Sequence, residues 1–212
     1  MTGNVIVSIT IIYQKGAAMS SKSFLPGIDF NSPVILGLFF TSLILYFING
    51  ASNGGINSLL ACYYTAWSDP MQYLRLFTHV LLHKDMSHFA GNYMLMLAVG
   101  PLIEEKYGGR NLMKMVVFTA VASGLIHIIM FRRASLIGAS GLVFMMILLA
   151  SFTNIREGRL PLTVMLVAFL YIGNEILGSL LTTGNISRLT HIAGATCGAG
   201  FGFHYHGKGR RA

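Results

Sequence analysis

Residues 138–155 read Gly-Ala-Ser-Gly-Leu-Val-Phe-Met-Met-Ile-Leu-Leu-Ala-Ser-Phe-Thr-Asn-Ile. From Leu142 to Ala150 it is apolar at every position, the pattern of a helix set in a membrane. Ser140 stands among small residues in its first turn. Further along, His191 opens a second such stretch, residues 189–206. Polar side chains in membrane spans are costly, and they usually face a bundle interior or a water-filled cavity. A hydroxyl and an imidazole in these settings therefore point to a serine nucleophile and its general base.

Composition supports the membrane setting. The 212 residues are 54% hydrophobic and 10% charged, with a mean hydropathy of +0.64. A soluble domain carries about 25% charged residues. The chain reads as all-α and polytopic. The formal charge of +8 falls in short clusters between apolar segments, as expected of positive loops on the cytoplasmic side. It lacks the aromatic interleaving of a nucleic-acid platform, so no nucleic-acid partner is expected. Cys62 and Cys197 fall in a loop and deep in a helix, with neither disulfide nor metal-site spacing.

Six segments reach the roughly 20 residues that a bilayer needs: 33–49, 86–104, 111–131, 138–155, 160–181 and 189–206. Pro33 and Pro161 mark helix starts. Gly108-Gly109, Gly158 and Gly184-Asn185 punctuate the connections. Residues 50–85 form a long first loop whose Tyr63, Tyr64, Trp67, Tyr73 and Phe77 suit a membrane interface, and short helices are expected there. The expected organisation is a short N-terminal segment (1–32), a six-helix membrane domain (33–206) and a basic tail (207–212). With the N-terminus inside, ten Lys and Arg fall on inner segments and five on outer ones. Both termini are therefore expected in the cytoplasm of a multi-pass cell-membrane protein. Val5–Tyr13 is too short to span lipid, and no cleavable leader is apparent. Met19 is an alternative start to Met1.

With six spans, the second, fourth and sixth run in one direction. His88 and Asn92, Ser140 and His191 each lie near the N-terminal end of one of them. All four should share one depth, just below the outer surface. A serine hydroxyl needs a base to take its proton, and histidine does this at neutral pH. A tetrahedral intermediate needs donors, and His88, Asn92 and the Ser140 backbone N–H at a helix N-terminus are available. His88 and Asn92 share a helix face at i, i+4. Gly194, Gly198 and Gly202 repeat every four residues, the small-residue spacing of closely packed membrane helices. Gly138 and Gly141 bracket the serine. A larger residue at Gly194 or Gly198 should push His191 away from Ser140.

Together these residues resemble the rhomboid family of intramembrane serine proteases. Arg75-Leu76-Phe77-Thr78-His79 followed by His83, His88 and Asn92 is similar to the family's first loop and second helix. Gly100 and Glu104 resemble the element closing that helix. Gly138-Ala139-Ser140-Gly141 matches the nucleophile motif, and His191-Ile192-Ala193-Gly194 with Gly198 matches that of the last helix. The resemblance covers roughly residues 33–206. It implies a Ser140–His191 dyad without an acidic third member, and an oxyanion hole of His88, Asn92 and the Ser140 N–H. It also implies a six-helix bundle with a short central fourth helix, a fifth helix acting as gate, and single-span membrane proteins as substrates. Arg75 and Glu104 would support the loop and helix. The chain departs from the family at Leu74, where Trp is frequent before the loop arginine. It departs again at Phe144, where a tyrosine commonly stacks on the catalytic histidine. Phe144 keeps the ring and should keep the stacking.

Other polar residues invite other readings. His79 and His83 are spaced for half a metal site, but no H-E-x-x-H pattern follows. A bond from one of these histidines to loop backbone is the simpler expectation, and neither metal nor cofactor is expected. Glu175 beside Asn174 in the fifth span would suit an ion path or a cavity-facing carboxyl. A transporter built on it is disfavoured by the lack of an inverted repeat. A catalytically silent relative that binds client helices is the remaining alternative, although such relatives usually lack the serine or the histidine. The substrate and the oligomeric state are not legible.

Overall fold

The computed structural model describes residues 30–153 and 186–208, with positions 162, 165, 166, 169, 170 and 173 between them. Residues 1–29, which hold Met19, lie outside the described residues. So do residues 154–161, Asn174, Glu175, the 184–185 connection and the tail beyond 208. The described helices belong to one compact unit, Asn31–Ala212.

These helices are α1 (Pro33–Ala51), α2 (Gly55–Leu60), α3 (Pro70–Thr78), α4 (Met86–Tyr107), α5 (Gly109–Met130), α6 (Ser140–Thr153) and α7 (Ile186–Lys208). A 3-10 turn, His79–Leu81, follows α3. The expected long first loop thus contains α2, α3 and this turn. Asp69 opens α3 by accepting from the Met71 N–H at 3.0 Å, and Pro70 fills the first turn, where its missing donor costs nothing. Asp85 caps α4 through the His88 N–H at 2.7 Å.

Helix α6 is the centre. It has 14 residues, or about 21 Å at the α-helical rise, shorter than the roughly 30 Å of a bilayer core. It packs most extensively on α7 and also on α4 and α5. Leu142, Met145, Met146 and Leu149 are fully buried. A helix apolar all round has no face to offer water, and this one offers none.

Three helices run side by side in one direction. Gly194, Gly198 and Gly202 of α7 meet Gly141, Met145 and Phe152 of α6 in register. His88 of α4 meets Gly138 just before α6, and Lys106 near the end of α4 donates to the Phe152 carbonyl at 2.9 Å near the end of α6. Helix α1 runs the opposite way beside α4. Its first N–H groups meet Glu104, and its Ser42 meets the Tyr93 hydroxyl at 2.6 Å.

Around an apolar core, large apolar residues are also exposed, and many polar ones are buried. Phe40, Ile44, Phe47 and Ile48 of α1 and Met94, Leu97 and Leu102 of α4 are exposed. Ser42, Gln72, Arg75, His79, His83, Asn92, Glu104, Thr119 and His127 are buried. The buried residues of α4 (Phe89, Asn92, Tyr93, Met96, Gly100, Ile103, Glu104) follow a single helical stripe. Leu162, Met165, Leu166, Phe169 and Leu170 are helical and exposed, also on one stripe. Contiguous apolar surface of this kind calls for lipid or a partner. By length and composition α1 and α5 can each cross a membrane, and α6 is apolar but shorter.

Candidate active site

The segment leading to Ser140 is pinned at every second residue. The Ala134 carbonyl meets His127 Nε2 at 2.9 Å. Leu136 exchanges both backbone hydrogen bonds with Cys62, at 2.8 and 3.0 Å. The Gly138 N–H donates to the His79 carbonyl at 2.9 Å. His79 is held in turn by its Nε2, 3.1 Å from the Ala120 carbonyl of α5. His79 thus bonds to the backbone of a helix, because α5 lies directly under the first loop, and the bond expected from one of the two histidines to loop backbone falls to His83, at Leu81.

Gly138 has a φ of +125°, a conformation that side chains resist. A Cβ there would also lie within 2.8 Å of the His88 ring. The chain turns at Gly138, and Ser140 becomes the first residue of α6, two residues later than the expected start of that span. Its N–H belongs to the first turn, where donors have no partner within the helix and the dipole favours negative charge.

His191 lies in α7 with its Nε2 2.7 Å from Ser140 Oγ. Both side chains are half-buried, sheltered yet reachable. Phe144, one turn after Ser140, stacks on the imidazole at 4.5 Å between centroids and 10° between planes. The ring departure from the family therefore keeps the stacking geometry.

The approach of α7 is set by backbone. A Cβ on Gly194 would collide with the Gly141 carbonyl, and one on Gly198 with that of Met145. Gly141 itself is less constrained, since a Cβ there would make ordinary contact with the Thr190 carbonyl at 3.5 Å. Of this glycine pair, Gly194 has no room for a side chain, and Gly141 contributes its main chain.

His88 and Asn92 flank the same place. The His88 ring lies against the Gly138 turn just before Ser140, and Asn92 Nδ2 is 3.9 Å from where a Gly138 Cβ would stand. Ser140, His191, His88, Asn92, Phe144 and Gly138 therefore converge. Arg75 and Glu104 make their bonds elsewhere. Arg75 Nε donates to the Leu59 carbonyl at 2.9 Å, its guanidinium lies over Tyr63 and it pairs with Asp69. Glu104 accepts from the Val34 and Ile35 N–H groups at the start of α1.

No spacing in the sequence pairs His83 with Asn92, yet Asn92 Nδ2 lies 3.0 Å from His83 Nε2. The only hint in the sequence is that His83 precedes the Asp85 cap by two residues, so it folds back over the first turns of α4. Among the described residues no three His, Cys, Asp or Glu side chains gather as a metal site would require.

A hydroxyl hydrogen-bonded to an imidazole at a helix N-terminus, with amide and imidazole donors beside it, has the parts for nucleophilic acyl transfer. The family model described as Rhomboid domain matches residues 70–208, more than half of the chain. The chain belongs to the rhomboid family, and it is a helical membrane protein. Among curated proteins none matches it significantly.

Proposed function

We propose that this chain is an intramembrane serine endopeptidase that cuts single-span membrane proteins within or near their transmembrane segment. The observation that carries the reading is the 2.7 Å contact between Ser140 Oγ and His191 Nε2. His191 takes the hydroxyl proton as Ser140 attacks the scissile carbonyl. The oxyanion is met by the Ser140 N–H, Asn92 and His88. His191 then returns the proton to the leaving amine, and water releases the acyl group by the same route in reverse. No acidic third group is invoked.

The proposal includes six spans over residues 33–206 and a fifth helix acting as gate. It also includes cytoplasmic termini (1–32 and 207–212), an active site near the outer face of the cell membrane, and no cofactor. Family membership, the outward apolar faces and the common direction of α4, α6 and α7 support it.

The test is cleavage of a panel of single-span substrates in liposomes. Wild type should cut at least one, Ser140→Ala none, and a fluorophosphonate probe should label only wild type. Equal cleavage by Ser140→Ala would end the reading. Client binding without turnover by wild type would favour a silent, helix-binding relative instead.

A further inference from the structure

His83 closes the loop before α4, and its ring is 1% exposed. It packs edge-on against His88 and Phe89 at 5.1 and 5.4 Å, and obliquely against Tyr93. Its Nε2 lies 3.0 Å from Asn92 Nδ2. The amide nitrogen faces the ring and only donates, so in this arrangement Nε2 accepts and the ring proton belongs on Nδ1, the tautomer that the NMR experiment below reads.

An asparagine amide has two ends of nearly equal shape, and only its partners decide which faces where. The acceptor on His83 draws the nitrogen end to itself. That nitrogen is also the Asn92 atom nearest the Gly138 turn, 3.9 Å from where a Cβ there would stand. One N–H is used by His83, leaving the second for the space beside Ser140.

We propose that His83 is a positioning residue: by accepting from Asn92 it turns the amide so that an N–H, not the carbonyl oxygen, faces the developing oxyanion. The inference rests on the protease reading above. The opposite orientation would set oxygen lone pairs against a negative charge. The role requires a neutral ring. Burial and the neighbouring His88 draw His83 down to about 4, against smaller opposing pulls from the Leu81 backbone and Asp85. His83 is itself fixed, since its carbonyl accepts from Asn57 Nδ2 at 3.3 Å and the Asn57 N–H donates to Asn49 Oδ1 at 2.8 Å. The orientation of one amide thus traces back to the end of α1.

The experiment is a double-mutant cycle in the full chain. His83→Phe keeps a ring but removes the acceptor. It should lower kcat about 10–100-fold with little change in KM, at or below the roughly 100–1000-fold of an oxyanion donor removed outright, since Asn92 itself is still present. His83→Gln, whose carbonyl can accept, should recover most of that rate. In an Asn92→Ala background His83→Phe should cost nothing more. Equal losses in both backgrounds, or a wild-type rate for His83→Phe, would overturn the inference. Independently of turnover, 15N NMR of labelled histidine, assigned with His83→Gln, should show His83 neutral with bare Nε2. A proton on Nε2 at neutral pH would overturn it. If wild type cuts nothing and takes up no fluorophosphonate, the protease reading fails, and the NMR result still decides the amide orientation.

Discussion

The ring of Phe144 lies 4.5 Å from that of His191 and within 10° of parallel to it. The two residues sit on the most extensively packed pair among the described helices, so the stack fixes the plane of the imidazole while the hydrogen bond to Ser140 fixes its tip.

Replacing Phe144 by leucine keeps an apolar side chain and removes the stack. Such ring pairs contribute about 0.5–1.5 kcal/mol, so cleavage should slow roughly 2–10-fold. Phe144→Tyr keeps the ring and should stay near wild type. Steady-state cleavage of one reporter by the three proteins checks this.

Gly194→Ala places a methyl on the Gly141 carbonyl, a backbone atom that cannot turn aside. Overpacking of this kind costs about 1–3 kcal/mol, and here it also parts His191 from Ser140. Thermal stability should fall and cleavage should be lost. Gly200→Ala, on the same helix with nothing within 4 Å, should be harmless or stabilise by up to about 1 kcal/mol. Melting curves and cleavage assays on both variants separate crowding from a general intolerance of α7.

Glu104 caps a helix 70 residues away in sequence, receiving the Val34 and Ile35 N–H groups at 2.9 and 3.1 Å. Ser32, at the N-cap position, makes no side-chain cap bond. Glu104→Ala strips α1 of this cap and should cost about 1–3 kcal/mol, the range for leaving buried donors unsatisfied. Glu104→Gln keeps one acceptor and should cost less. Denaturation in mild detergent measures both.

Acid should weaken the fold through the first loop. Burial, with a smaller contribution from His127, draws His79 down to about 4 despite its bond to Ala120, and His83 reaches a similar value. Unfolded, each would titrate near 6.5, so between about pH 6.5 and 4 the unfolded chain binds protons that the folded chain refuses. Stability from these two should be constant above that window. Inside it, stability should fall with pH by up to about 1.4 kcal/mol per unit for each histidine. Unfolding midpoints from pH 7.5 to 4.5 should show the slope, and His79→Gln should reduce it.

Much of the site was legible because its parts are periodic or local. The glycine repeat of α7, the i, i+4 pair of His88 and Asn92 and the small residues around Ser140 are all spacings, and the helices bring them together. What spacing cannot carry is the identity of a distant partner. Glu104 stands out as a carboxylate at a helix end, but nothing near it names Val34. Cys62 reads as a lone thiol, although its backbone pairs with Leu136. His83 carries the side-chain chemistry of a metal ligand, and only the folded loop turns it to Asn92. Helix ends shifted by a few residues, as at Ser140, because Gly138 turns the chain before the helix begins.

The ties at Ala134, Leu136 and Gly138 go to three separate partners: a ring, a strand-like neighbour and a turn. Such a strip cannot slide along its own axis without breaking all of them together. It acts as a splint for the start of α6. Under the protease reading proposed above, any motion that admits a client takes place around Ser140 rather than through it, and the serine keeps one address.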